Sequence, residues 1–135
     1  MEDFVPYELA FKLKEKGFRE KTLGFYMLPI KRPLFPLTYS LKDWNKANDC
    51  YSAPTISQVL TWLREEKKIF IAINIGYCYE PFLTNPNMEP ILKGYYYGIW
   101  ELDNLNNKNA LSEYFETPEL AAIAGIKYVI DNGLI

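Results

Sequence analysis

Histidine is absent from all 135 residues of this chain, and only two cysteines are present, Cys50 and Cys78. The first absence removes Ser-His-Asp and Cys-His nucleophilic catalysis, imidazole acid–base chemistry, and the histidine-containing zinc and iron sites. Two thiols are too few for a disulfide framework or a four-cysteine zinc site, so two free cysteines are expected. No phosphate-cradling glycine motif occurs either: Gly94 and Gly98 stand among tyrosines, with no G-x-x-x-x-G-K or G-x-G-x-x-G around them. The longest mostly apolar run, Ile69 to Tyr79, is far shorter than the ~20 residues that cross a bilayer. The opening MEDFVPYE is acidic and lacks the apolar stretch of a signal peptide. An enzyme would have to work through carboxylates, Lys, Tyr or Cys, and the balance is against one. No cofactor and no metal are expected.

What is present builds a core. The apolar fraction is 49%, with 8 Phe, 11 Tyr and 3 Trp, enough for one folded domain spanning residues 1–135. Net charge is −2, unevenly placed. Residues 12–32 hold Lys12, Lys14, Lys16, Arg19, Lys21, Lys31 and Arg32 against Glu15 and Glu20, whereas residues 94–135 hold six acids against Lys108 and Lys127. The basic stretch is either the solvated face of a helix and its loop, or a contact for an anionic partner.

Local signals predict the element order α-β-α-β-β-β-α. Pro6 opens a first helix over 6–16, Leu9, Ala10 and Leu13 share its inner face, and Gly17 ends it. A strand follows over 24–30. Then Pro29, Pro33 and Pro36 favour an extended loop or edge segment. Thr55 and Gln58 have capping-box spacing, and Ile56, Val59, Leu60 and Leu63 make the apolar stripe of a second helix. Trp62 beside that stripe could serve core or interface. Ile69, Ile71, Ile73 and Ile75 alternate with Phe70, Ala72 and Asn74 in a strand. A proline-rich connection over 78–93 leads to a strand over 94–103, an Asn-rich turn, a short strand over 112–116, and a helix capped by Thr117-Pro118 and Asn132-Gly133. Gly125 inside that helix suits close packing on the sheet. The predicted fold is a single α+β domain: an antiparallel sheet of three to four strands, built mainly from 69–77, 94–103 and 112–116, with helices on one face.

Strand 94–103 must choose which side faces the core. Glu101 and Asp103 share parity with Tyr95, Tyr97 and Ile99, so keeping both carboxylates in water turns Tyr96, Gly98, Trp100 and Leu102 inward. With Phe70, Tyr95 and Tyr97 would then form an outer aromatic strip. That strip could stack bases or bind a protein, or lie beneath the 78–93 loop or the N-terminal segment. Tyr79, Phe82, Leu83 and Met88 on the loop extend it into a candidate partner surface, for another protein or a second copy. The acid pairs Glu65/Glu66, Glu101/Asp103 and Glu113/Glu116 lie near element ends, as ordinary solubility residues do. A glycosidase or metal-dependent nuclease would need them to converge on one cleft.

Two segments, CYSAPTISQVLTWLREEKKIFIAI and YFETPELAAIAGIKYVID, together resemble small proteins carried by phages and prophages of gut anaerobes. That family has no established activity and no catalytic residues to carry over, so the resemblance implies a mobile-element context in a host cytoplasm. The strands followed by Phe115-x-Thr117-x-Glu119-x-Ala121 are also similar to AP2-type and integrase amino-terminal DNA-binding domains. In those folds the exposed sheet face carries Arg and Lys. Here it carries Glu101, Asp103, Glu113 and Glu116. The expectation is therefore a non-enzymatic interaction protein that binds another protein. The alternatives are a nucleic-acid-binding module using the 12–32 stretch and a histidine-independent hydrolase or nuclease. No membrane association is expected.

Overall fold

The isoleucine alternation at 69–75 and the capped helices on either side of it organise the molecule. The structure, a computed structural model, describes residues 3–79, 83–103 and 111–135; the Asn-rich turn and Phe82 lie outside them. Among the described residues the named helices are α1 (Tyr7–Glu15), α2 (Ile56–Glu66) and α3 (Pro118–Asp131), combined with five strands. These are β1 (Gly24–Met27), β2 (Ile30–Leu34), β3 (Cys50–Ala53), β4 (Ile69–Cys78) and β5 (Ile91–Glu101). The class is α+β, and all pairings are antiparallel. The strands divide into a three-stranded sheet ordered β2-β1-β3 and a two-stranded ribbon, β4-β5.

Each helix is bounded by the residues that the sequence marks. At α2, the Thr55 hydroxyl accepts from Gln58 N–H at 3.2 Å while the Gln58 side chain accepts from Thr55 N–H at 2.9 Å, completing the capping box. Thr117 caps α3 through Leu120 N–H, with Pro118 at the first helical position. Gly17 and Gly133 take φ of +86° and +68°, and each closes its helix with a pair of reversed bonds. Phe18 N–H reaches Leu13 O and Gly17 N–H reaches Lys14 O; Leu134 and Gly133 repeat this on Val129 and Ile130. Lys68 ends α2 at φ +58° with no glycine, a conformation that costs a side-chain-bearing residue about 1 kcal/mol.

The first sheet forms from the strand expected over 24–30, here β1, and from two strands, β2 and β3, in segments where none was expected. β1 and β2 make a hairpin across Leu28-Pro29, whose peptide bond is cis. Pro33 sits in β2, an edge strand, where its missing N–H is tolerated. β3 pairs with the other side of β1, and the N-terminal segment extends it through Phe4↔Thr55, Val5 N–H to Pro54 O and Ile56 N–H to Asp3 O. Between the strands, buried Asn45 donates to Phe18 O at 2.7 Å and accepts from Ser52 N–H at 2.8 Å. Fully buried Thr22 exchanges backbone bonds with Lys42, and its carbonyl accepts from the Trp44 indole. These side chains substitute for regular structure over 36–49, satisfying backbone groups that no ladder reaches.

The ribbon corrects the facing assigned to β5. Tyr97 is 8% exposed and Ile99 3%, whereas Trp100 is 38% exposed. Register decides it: Ile99 pairs with Ile71 and Tyr97 with Ile73, so the isoleucine face of β4 and the Tyr95–Tyr97–Ile99 set share one side. That side meets α3, where Ile71 and Tyr97 approach Gly125 so closely that a Cβ there would lie 2.9 Å from Ile71 Cγ2. Glu101 escapes burial because it is the last residue of the strand, and Asp103 lies beyond it. Trp62, by contrast, is core: it is 5% exposed and meets Phe18 edge-on, centroids 5.2 Å apart. The short strand expected over 112–116 is reduced to bridges, Tyr95↔Phe115 and Gly98↔Leu111, that flank β5. The 78–93 connection is shorter than its sequence suggests, since Cys78 pairs with Ile91 and Tyr77 with Leu92.

Two outcomes follow from this packing. Tyr97→Ala should cost about 3–5 kcal/mol in urea titrations and Trp100→Ala about half as much; equal losses would reverse the facing. Tyr26, 2% exposed with its hydroxyl donating to Val5 O, has its pKa pushed up to about 12 by burial and by Glu8. An unfolded tyrosine ionises near pH 10, so the unfolded chain loses its proton first and stability falls between pH ~10 and ~12, by about 1.4 kcal/mol per pH unit at most. Melting temperatures over that range should fall less steeply for Tyr26→Phe than for the parent chain.

Candidate functional site

Exposed apolar side chains, not clustered titratable groups, distinguish this surface. Most of them fall in three places. On the ribbon face turned away from the helices, Phe70 (39% exposed) pairs with Trp100 (38%), with Leu102 beyond them. Tyr96 and Tyr114 meet edge-on further along that face, and the Tyr114 ring fills the space above Gly76. The second place is the far end of the ribbon, where Ile75, Tyr77, Tyr79, Leu83, Met88, Ile91 and Leu92 are all exposed. The third surrounds the β1–β2 hairpin and the segment after it, with Leu28, Ile30, Phe35, Leu37, Tyr39 and Leu41.

The surface expected from the sequence is therefore divided. Tyr97 is interior, stacked near Phe115 and tilted against Tyr128, and burial pushes its phenol pKa up. Tyr95 is half-buried, and its backbone bonds Phe115 in both directions. Phe70 lies on the opposite face from both. It is also nine residues along the chain from Tyr79, roughly 30 Å at ~3.3 Å per residue, so no single patch joins them. Tyr79, Leu83 and Met88 are each exposed in the segment that joins β4 to β5, Tyr79 with its ring 6.2 Å from that of Tyr77. The sequence reading missed Ile75, Tyr77, Ile91 and Leu92. The signal was available: an alternating apolar strand longer than the helices that can cover it. The hairpin surface was also missed, although eight large apolar residues fall within 27–41.

The basic stretch is largely occupied by the protein itself. Lys12 donates to Asp131 at 2.7 Å, holding that carboxyl below the usual range. The Lys14 ammonium donates to the carbonyls of Ala47 and Cys50 and lies over the Tyr51 ring. Arg19 bonds Asp43 at 2.8 Å, and Lys31 stands 3.8 Å from Glu8. Among the described residues, Lys12, Arg19 and Lys31 have ion-pair partners, Lys14 is held by carbonyls, and Lys16, Lys21 and Arg32 have neither. Such dispersed charges do not make a phosphate-tracking groove.

Glu20, Glu65 and Glu66 border a shallow groove of about 300 Å³ beside α2, together with Gln58 and Thr61. Arg64 lies 3.7 Å from Glu65. Among the described residues, no three His, Cys, Asp or Glu side chains converge to hold a metal. Cys50 is a buried free thiol with its pKa raised by burial and by Asp49, and Cys78, also free, belongs to the other sheet. No helix among the described residues is long and apolar enough to cross a membrane.

No family model matches the sequence, and no curated protein or solved structure is significantly similar to it.

If phosphate contacts depended on the 12–32 stretch, affinity for labelled oligonucleotides would fall steeply with salt. With Lys12, Lys14 and Arg19 engaged internally, fluorescence anisotropy should detect no binding of single- or double-stranded oligonucleotides even at ~50 mM salt.

Proposed function

We propose that this chain is a non-enzymatic accessory protein of a phage or other mobile element, acting in the host cytoplasm by binding another protein. The observation that carries the reading is the uncovered far end of the ribbon. There the apolar side chains of β4 and β5 continue past the helices, and Tyr79, Leu83 and Met88 add to them. Exposed apolar side chains in this number at one end of a sheet raise the cost of remaining solvated and favour a protein contact. Three prolines within 81–90 narrow the conformations of the connecting segment, which lowers the entropy lost on binding. The mobile-element context rests on the sequence resemblance alone.

Affinity capture from infected or lysogenic cells, with and without nuclease, tests the reading. A protein partner should survive nuclease and be lost with Leu83→Ser/Met88→Ser, at an unchanged melting temperature because both side chains are solvated. Partners lost on nuclease treatment would favour the nucleic-acid reading instead. A large fall in melting temperature would make those residues part of the core.

A further inference from the structure

The outer edge of β4 presents an ordered row of unmet backbone hydrogen-bonding groups. Leu102 N–H donates to Lys68 O at 2.8 Å, one step outside the pair Ile69↔Glu101, and this sets the phase of the β4–β5 ladder. In an antiparallel ladder the bonded pairs alternate. The even-numbered residues of β4 therefore bond β5, and Ile69, Ile71, Ile73 and Ile75 direct their N–H and C=O groups the other way; the register shift after Gly76 places its extra residue, Lys93, on β5, so β4 keeps its alternation and Tyr77 joins them. Strand β5 gives the same phase independently: Tyr95 and Tyr97, opposite Ile75 and Ile73, bond Phe115 and Ser112 on their far side. Among the described residues, no backbone group pairs with the outward edge of β4. Ile69 and Ile71 are only 3% and 6% exposed, so other parts of the fold cover that end, whereas Ile75 (51%) and Tyr77 (44%) are open.

Natural edge strands are usually blunted by lysine, proline or an inward charge. Residues 69–78 contain none of these: IFIAINIGYC carries no charge and no proline. The geometry points to pairing of β4 with β4 of a second copy, giving a continuous sheet ordered β5-β4-β4-β5 across a two-fold axis near Ile75. Only an extended strand can meet a row of donors and acceptors at this spacing. A strand without charge meets its own copy with no like charges opposed. With the axis at Ile75, Ile73 of one copy faces Tyr77 of the other, an aliphatic–aromatic pair. About six backbone hydrogen bonds would form over Ile73–Tyr77. The pairing would also turn a two-stranded ribbon, marginal by itself, into a four-stranded sheet. This inference extends the interaction reading by naming the partner of one edge; it does not depend on what Leu83 and Met88 contact.

Sedimentation equilibrium of the full chain over a concentration series, with amide hydrogen exchange at each concentration, is the test. The expected result is a monomer–dimer equilibrium in which Ile73 and Ile75 amides gain protection with concentration while those of Phe70 and Ala72 do not change. Ile75→Lys places a charge opposite itself and should yield monomer at every concentration with α-helix and strand signals retained. Ile75→Pro removes only an outward donor and should do the same. Leu83→Ser/Met88→Ser should leave the dimer intact, so heterologous binding and self-pairing can fail separately. A parent chain that stays monomeric overturns the proposal, as does a dimer that persists in Ile75→Lys.

Discussion

The contact between Gly125 and the pair Ile71 and Tyr97 is the constraint on which the second half of the molecule depends. Helix α3 lies so close to the ribbon that a methyl group at 125 would meet Ile71 Cγ2 at 2.9 Å and the Tyr97 ring at 3.2 Å. Glycine inside a helix costs about 1 kcal/mol relative to alanine. Here that cost is offset because the close approach seats Ile126 and Val129, both fully buried, in the same core as Ile69, Ile71 and Ile99. A helix held further off would leave Tyr97 wet and its ring contacts with Phe115 and Tyr128 unformed.

A different kind of interaction holds the first half. Its sheet is small, its prolines exclude long ladders, and the segment between β2 and β3 has only the 3₁₀ turn Trp44–Lys46. Side-chain hydrogen bonds complete it. The Asn45 amide joins the end of α1 to β3, Thr22 joins Lys42 and Trp44, and Asp43 takes both Arg19 and Asn45 N–H. Buried amides of this type carry a high penalty if one partner is lost. The same segment also engages two of the basic side chains, Lys14 on the carbonyls of Ala47 and Cys50 and the still exposed Arg19 on Asp43.

Much of this was legible from the residues alone. Thr55 and Gln58, Thr117 and Pro118, and Gly17 and Gly133 fix helix ends through hydrogen bonds a few residues long, so local spacing suffices to find them. The isoleucine alternation likewise defines β4, and Gly125 announced close packing. What sequence could not fix was which face of β5 turns inward. The parity of Glu101 and Asp103 argued for Trp100, but a carboxylate at a strand's last position reaches water on either side. The register with β4 overrode it. The first sheet was hidden for a similar reason: β2 and β3 are short, and their partners lie across a turn or some 20 residues away. The candidate surface was half legible. Tyr79, Leu83 and Met88 are exposed, whereas Phe70, Tyr95 and Tyr97 separate once the two faces are assigned.

The order of elements along the chain has a consequence for biosynthesis. A ribosome emits residues 69–101 before residues 118–131, so the isoleucine face of the ribbon leaves the exit tunnel without the helix that covers it. During that interval the chain offers an uncharged ten-residue strand beside a bare apolar face, the features that recruit chaperones or drive association between nascent chains. The first sheet, with α1 and the Asn45 bonds, draws wholly on residues already synthesised and can be settled by then. Translation speed through the last 40 or so codons, more than the stability of the finished fold, would then govern how much protein a cell recovers in native form.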